Sequence, residues 1–349
     1  MRFPSVPKLL KRALIVCVAA GSLFLAAVTA FAVHCHTVQA HFQPSVQTAT
    51  GRKIAGYARP EDDTFLTYAE WYIVWSYQEK AVWQQTHLPS GFPYFQAIEQ
   101  YWSGYCCSYS VVRDKYPFNF GDHLMLAVIG TSFTVEYALK GAYEDTVGRI
   151  SEWSSGGKLI EEDCYAANIA QDYGVFVLER PFYEFKFLRA FRGLWTSTKL
   201  WGPHPVRKWE RKVWLSLDYL VEAAYCSLIQ LASHATYGVE EDVTYAEVQN
   251  LAATPAVQIV KMPRYQSFTA AAMRLLASAA RFVTIAGNRQ IMVTAVVPRS
   301  WTFTLPVGEF LFSLDILTDP QSKRVALRVP VNELSQLIGL IQIEHIYDY

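Results

Sequence analysis

The sequence is short of charge. Asp, Glu, Lys and Arg make up 18% of its 349 residues, against about 25% in an average soluble protein. Hydrophobic residues reach 52% beside that shortage, which excludes disorder and a collagen-like fibre as the main character of the chain. Neither sign is in excess, because 31 Lys+Arg face 31 Asp+Glu. No global field therefore draws in nucleic acid or acidic substrates. Six cysteines in a chain of this length exclude a small disulfide scaffold. Nucleotide and metal signatures are also missing. There is no G-x-G-x-x-G, no G-x-x-x-x-G-K-[ST], no H-E-x-x-H, no EF-hand loop and no G-x-S-x-G elbow. Gly156-Gly157-Lys158 lacks the earlier glycine of a phosphate loop. These gaps leave catalysis open, since a triad is defined in space rather than in sequence.

What is present begins with a patterned N-terminal stretch. No Asp or Glu precedes Glu61, and Arg2, Lys8, Lys11 and Arg12 precede an uncharged apolar run from Ala13 to Val33. As a helix the run is about 31 Å long, close to the roughly 30 Å hydrocarbon core. Lipid offers its backbone no partners, so it is expected to be helical. Cations on its N-terminal side hold that end in the cytoplasm. The bulk of the chain is then expected outside, in the periplasm of a cell with an inner membrane. A cleaved signal peptide is the rival reading, since Ala30-Phe31-Ala32 is an A-x-A site. The run exceeds the usual 7–15 residues of a signal h-region, which favours a retained anchor.

Residues 1–12 are read as a basic cytoplasmic tail, 13–33 as the transmembrane helix and 34–64 as a polar tether. Length suggests two further domains. Residues 65–255 read as an aromatic-rich helical bundle. Thr67-Tyr68-Ala69-Glu70 has the form of a capping box, and Leu66, Ala69, Ile73, Tyr77 and Ala81 follow on one face. Helices are expected over Tyr94 to Val112, from Asp122 to about Val147, from Glu161 toward Pro181, and over Phe182 to Thr196. The longest runs from Pro205 to just before Gly238. Its seam is Trp209, Val213, Leu217, Leu220, Ala224, Leu228, Leu231 and Ala235 at steps of 3 and 4. A second Thr-Tyr-Ala-Glu at 244–247 predicts a short helix ended by Pro255.

Periodicity changes after 255. Strands are expected over Val257–Met262, Phe282–Ala286, Gln290–Val297, the alternating Phe310–Ile316 and Val325–Val329, and Gln342–Tyr347. Helices are expected over Ser267–Ala280 and from Asn332 to about Leu340. Gly287-Asn288 reads as a hairpin turn. The order suggests an α+β sandwich of ferredoxin-like type over 256–349, a fold that implies no function by itself.

Three groups of residues carry candidate chemistry. Glu136, Asp218 and Glu222 are acids on helices expected to pack together, with Asp218 and Glu222 four apart on one face. Convergence would suit acid/base or metal chemistry in a membrane-bound hydrolase or metalloenzyme. Ion pairing with Lys140 or Arg211 on a solvated face is the plainer reading. Trp195, Trp201, Trp209 and Trp214 lie among Arg207 and Arg211, a mixture suited to the lipid headgroup layer. Packing of those rings in a helical core competes with it. His34, Cys35, His36 and His41 offer N and S donors for Zn or Cu just beyond the apolar run. Their spacing matches no finger pattern. Cys106-Cys107 has no strongly cationic neighbourhood to activate a thiol.

The expectation is a membrane-anchored extracytoplasmic protein that binds a membrane lipid, a protein partner or a small ligand, and no nucleic acid. A polytopic transport component with three spans is the third reading. It has to accommodate Asp218 and Glu222 in one segment, each acid costing about 2.5–3.5 kcal/mol in lipid.

Overall fold

A computed structural model describes Cys35 and residues 58–237, 243–249, 257–278 and 280–349. The predicted transmembrane run and His34, His36 and His41 lie outside the described residues. Among the described residues no helix is long and apolar enough to cross a membrane. The body is mainly helical, with a C-terminal region of antiparallel sheet.

The chain is already docked by residue 59, where Arg59 N donates to the Ala286 carbonyl at 2.9 Å. Asp62 and Thr64 are buried, so the ordered body starts before the tether boundary expected at 64. Helix α1 (Asp63–Leu66) runs into α2 (Tyr68–Gln84). Thr67 has helical dihedrals between them, and its hydroxyl donates back to the Asp63 carbonyl. The expected capping box therefore does not form. A preceding helical turn already supplies acceptors for the amides that a cap would satisfy.

Helix α3 covers Tyr94–Val112 and α4 covers Phe120–Tyr143, capped by Asn119, whose side chain accepts from Asp122 N. A single π-helical turn, Glu144–Gly148, carries α4 into α5 (Arg149–Ser154). Then come α6 (Glu161–Phe176), α7 (Phe187–Ser197) and α8 (Pro205–Tyr237). Helices α4 and α8 run antiparallel. Ser132 meets Tyr225, Lys140 meets Asp218, Tyr143 stacks on Trp214 and Glu144 meets Arg211.

Strand β1 (Val243–Gln249) stands where the second Thr-Tyr-Ala-Glu predicted a helix. It pairs with β2 (Val257–Pro263) on one side and β3 (Arg281–Ile285) on the other. Thr244, Ala246 and Val248 point inward and their neighbours outward, the period of 2 that a half-buried strand requires. Helix α9 (Tyr265–Ala277) connects β2 to β3. A second sheet has the order β5-β6-β4-β7, from β4 (Gln290–Pro298), β5 (Glu309–Ile316), β6 (Asp319–Pro330) and β7 (Ile343–Ile346). Every pairing in both sheets is antiparallel.

The single sheet of a ferredoxin-like sandwich is thus not what these strands build. Ala286 and Gly287 take positive φ and turn the chain sharply, with an isolated bridge between Ile285 and Asn288, but β3 and β4 join different sheets. The segment from Asn332 forms one 3-10 stretch, Val331–Leu337, rather than a full helix.

One core joins the helical and sheet regions across the boundary expected at 255. The Tyr68 ring meets Phe312 edge-on at 4.8 Å, and Thr64 Oγ1 accepts from Met292 N at 3.1 Å. Buried Arg324 pairs with Glu344 at 2.7 Å and Glu79 at 3.3 Å, beneath the Trp75 ring. The aromatic excess goes largely into this core. Tyr72, Tyr77, Tyr101, Phe133 and Tyr137 contact one another in edge-to-face and tilted arrangements, which add to their area burial.

His345 makes the core pH-sensitive. Its ring lies 3.6 Å from Trp71, and burial pushes its pKa down to about 3. A base whose folded pKa is depressed contributes stability above its unfolded value, near 6.5, and loses it as pH falls toward the folded value. The unfolding free energy, measured by denaturant titration, is expected to fall below pH 6.5 with a slope approaching 1.4 kcal/mol per pH unit from this group. His345→Phe should flatten that slope. Parallel acid profiles for the parent and the variant would assign the loss elsewhere.

Candidate functional site

The first half of α8 turns its cations inward. Arg207 is fully buried, with Nη2 3.1 Å from Asp163 and Nη1 3.2 Å from Glu210. Arg211 reaches Glu144 at 2.7 Å and Asp163 at 2.9 Å. Lys208 holds Glu162 at 2.6 Å and Glu161 at 2.8 Å, and Lys212 meets Glu162 at 3.2 Å. Glu210 lies on α8 itself, and the other acids come from the first turn of α6 and the π-turn after α4. Carboxylates at a helix start also suit its dipole.

Arg207 and Arg211 therefore do not face a headgroup layer, because both guanidinium groups are consumed by interior carboxylates. The four tryptophans divide. Trp214 stacks on Tyr143 with ring centres 3.6 Å apart. Trp209 packs edge-on against both Trp195 and Trp201, and Trp201 is 73% exposed.

Farther along α8 the three acids converge on Lys140, mostly buried rather than on a solvated face. Lys140 Nζ lies 2.7 Å from Glu136, 3.1 Å from Asp218 and 3.1 Å from Glu222. The carboxylate oxygens on that one nitrogen are thus no farther apart than twice 3.1 Å. Tyr77 donates to the other oxygen of Glu136 at 2.5 Å. A cavity of about 60 Å³ opens beside the cluster, between α2, α4, α6 and α8. Lys80, Tyr94 and Tyr173 also line it.

The electrostatics divide these groups. Burial pushes Glu222 up to about 7, helped by the Glu136 charge. Burial also acts to raise Glu136, but Lys140 and Lys80 outweigh it and hold its carboxyl below the usual range. Lys140 is raised, its three acids overcoming the effect of burial. Lys80 is pushed down to about 8, by burial first and then by the Lys140 charge.

Among the described residues no group of three or more His, Cys, Asp or Glu is disposed to hold a metal ion. At the acid cluster the Lys140 ammonium occupies the centre of the carboxylates. The proposed His34, Cys35, His36, His41 site loses its thiolate, because Cys35 is disulfide-bonded to Cys106. Cys107 is half-buried, and burial pushes its thiol up to about 11.

Lys80 is the site residue that sequence reasoning passed over. It lies three residues beyond Tyr77, on the buried side of α2, and that spacing was the available signal.

The outward side of α8 is the converse of its interior. Among residues 213–231 the exposed positions are Val213, Leu217, Leu220, Val221, Ala224, Ser227, Leu228 and Leu231, none of them charged. Leu217 is 55% and Leu228 62% exposed. From Val213 to Leu231 the seam expected to face the core faces out instead. Helix α4 behaves alike, exposing Leu124, Met125, Val128, Val135 and Leu139. Beside α8, helix α7 and its flanks expose Lys186, Arg189, Arg192 and Lys199.

No protein-family model, no curated protein and no solved structure matches the chain.

Proposed function

We propose that the chain is a membrane-anchored binding protein whose body lies outside the cytoplasm, in the periplasm of a cell with an inner membrane, and rests against the bilayer through α4 and α8. The carrying observation is the uncharged outer face of α8, about 27 Å long from Val213 to Leu231 at 1.5 Å per residue. An exposed apolar face of that extent marks an interaction site. Its occupant is lipid. The uncharged 13–33 run ends two residues before Cys35, which is tied to Cys106 on α3. Helix α3 packs on α4, where Tyr101 OH donates to the Leu126 carbonyl at 2.7 Å. The disulfide therefore ties Cys35, two residues past the apolar run, to the helix that packs on α4. The cations of α7 border α8 and suit anionic headgroups, and exposed Trp201 suits the interfacial layer. A disulfide fits an oxidising compartment.

The test uses the full chain, with exposed Cys164 changed to Ser, in vesicles containing anionic lipid. A cysteine at position 221 (Val221→Cys) should react with a water-soluble maleimide several-fold more slowly than one at position 338 (Ile338→Cys). Both parent residues are exposed in the structure. Equal rates would mean that the α8 face meets water, and the proposal would be lost.

A further inference from the structure

We propose that Lys80 is the amine of a covalent site for small neutral aldehydes, captured as an imine in the cavity between α2, α4, α6 and α8. The inference is independent of the membrane reading.

Lys80 is 9% exposed and lines the cavity, yet its Nζ makes no hydrogen bond and no ion pair among the described residues. Its contacts are the faces of two rings, Tyr77 at 5.3 Å and Tyr137 at 5.4 Å. Those faces attract the charged amine only weakly compared with a carboxylate. The nearby acids Glu136, Asp218 and Glu222 pair with Lys140 instead, and their more distant charges only partly offset the effect of burial on Lys80. Burial of the side chain and the Lys140 charge both disfavour the ammonium form of Lys80. A second cation close by makes shedding its proton easier still, the arrangement that activates amine nucleophiles.

The cavity also selects its guest. At about 60 Å³ it admits only a few heavy atoms. Glu136, Glu144, Asp218 and Glu222 outnumber Lys80, Lys140 and Arg211 in its lining, which disfavours an anion. A short uncharged carbonyl compound meets both limits.

The step balances without a further reactant. The neutral amine of Lys80 attacks the carbonyl carbon, forming a C–N bond. Proton transfer from nitrogen to oxygen gives a carbinolamine. Its hydroxyl leaves as water when the Glu222 carboxyl donates a proton, and the nitrogen lone pair completes the C=N bond. The resulting iminium returns its proton to Glu222. Glu222 suits this donor role, because it lines the same cavity as Lys80 and burial raises its carboxyl toward the neutral range.

The experiment uses the purified full chain, limiting propanal and cyanoborohydride, which reduces an imine to a stable secondary amine. Peptide mass spectrometry then compares Lys80 with exposed Lys199 in the same sample. Lys80 should be alkylated about tenfold faster or more, its gain in free amine being partly offset by lower basicity and restricted access. Denaturing the chain should abolish that preference. Glu222→Gln should slow alkylation at Lys80 while leaving Lys199 unchanged. Alkylation of Lys80 no faster than that of Lys199 in the folded chain overturns the proposal, and this comparison is made on the unmutated protein. An unchanged Lys80 rate in Glu222→Gln overturns the donor role.

Discussion

Changing Arg211 to methionine should destabilise the protein by about 3–5 kcal/mol, the range for removing one partner of a buried ion pair. Methionine keeps much of the side-chain volume, so little of the loss comes from a cavity. What remains is Glu144, 3% exposed, and Asp163, 2% exposed, with a guanidinium taken from both. Arg207 still holds Asp163 at 3.1 Å, so Glu144 bears most of the deficit. Burial already raises the pKa of Glu144 against the pull of Arg211. Adding Glu144→Gln to Arg211→Met should therefore recover part of the stability, because an amide is far cheaper to bury than an unpaired carboxylate. Denaturant midpoints of the parent, both single variants and the double variant give the coupling directly. A loss below about 1 kcal/mol for Arg211→Met would mean that the site is hydrated and the pair worth no more than a surface bridge.

Lys140→Met should show a comparable loss with a distinct pH signature. Lys140 holds three carboxylates, and without it Glu136, Asp218 and Glu222 face one another across a buried space. Like charges at that range push the carboxyl pKa values upward. An acid whose folded pKa is raised contributes stability fully below its unfolded value and loses it as pH rises through the folded value. In the parent, Glu222 follows that course between about 4.5 and about 7. The variant should follow it over a wider window and with more than one group. Lys140→Met is thus expected to cost about 3–5 kcal/mol near pH 8 and clearly less near pH 5. An equal loss at both values would refute the buried-charge account and point to lost packing instead.

Much of the helical region could be read from the residues. Tyr94–Val112 begins just after Pro93, and α8 begins at Pro205, a residue favoured in the first helical turn. Three- and four-residue spacing marked α8. That Asp218 and Glu222 share one face of α8 was likewise legible, but their meeting with Glu136 of α4 around Lys140 depends on how the two helices pack. The disulfide was not, since cysteine spacing does not choose a pairing.

Two elements separate what the residues determine alone from what the tertiary structure decides. The tetrapeptide Thr-Tyr-Ala-Glu takes helical dihedrals at 67–70 and is extended at 244–247. Its local propensity is the same in both places. At the first, the residues beyond it continue a helical pattern into the aromatic core. At the second, partner strands wait on both sides and bury Thr244, Ala246 and Val248 alternately. Helix α8 makes the same point about direction. Its sequence specified a helix with one apolar and one charged stripe, and periodicity cannot say which stripe turns inward. The charged stripe went in because α6 and the turn after α4 bring carboxylates to meet it. That complementarity exists only once distant segments are side by side.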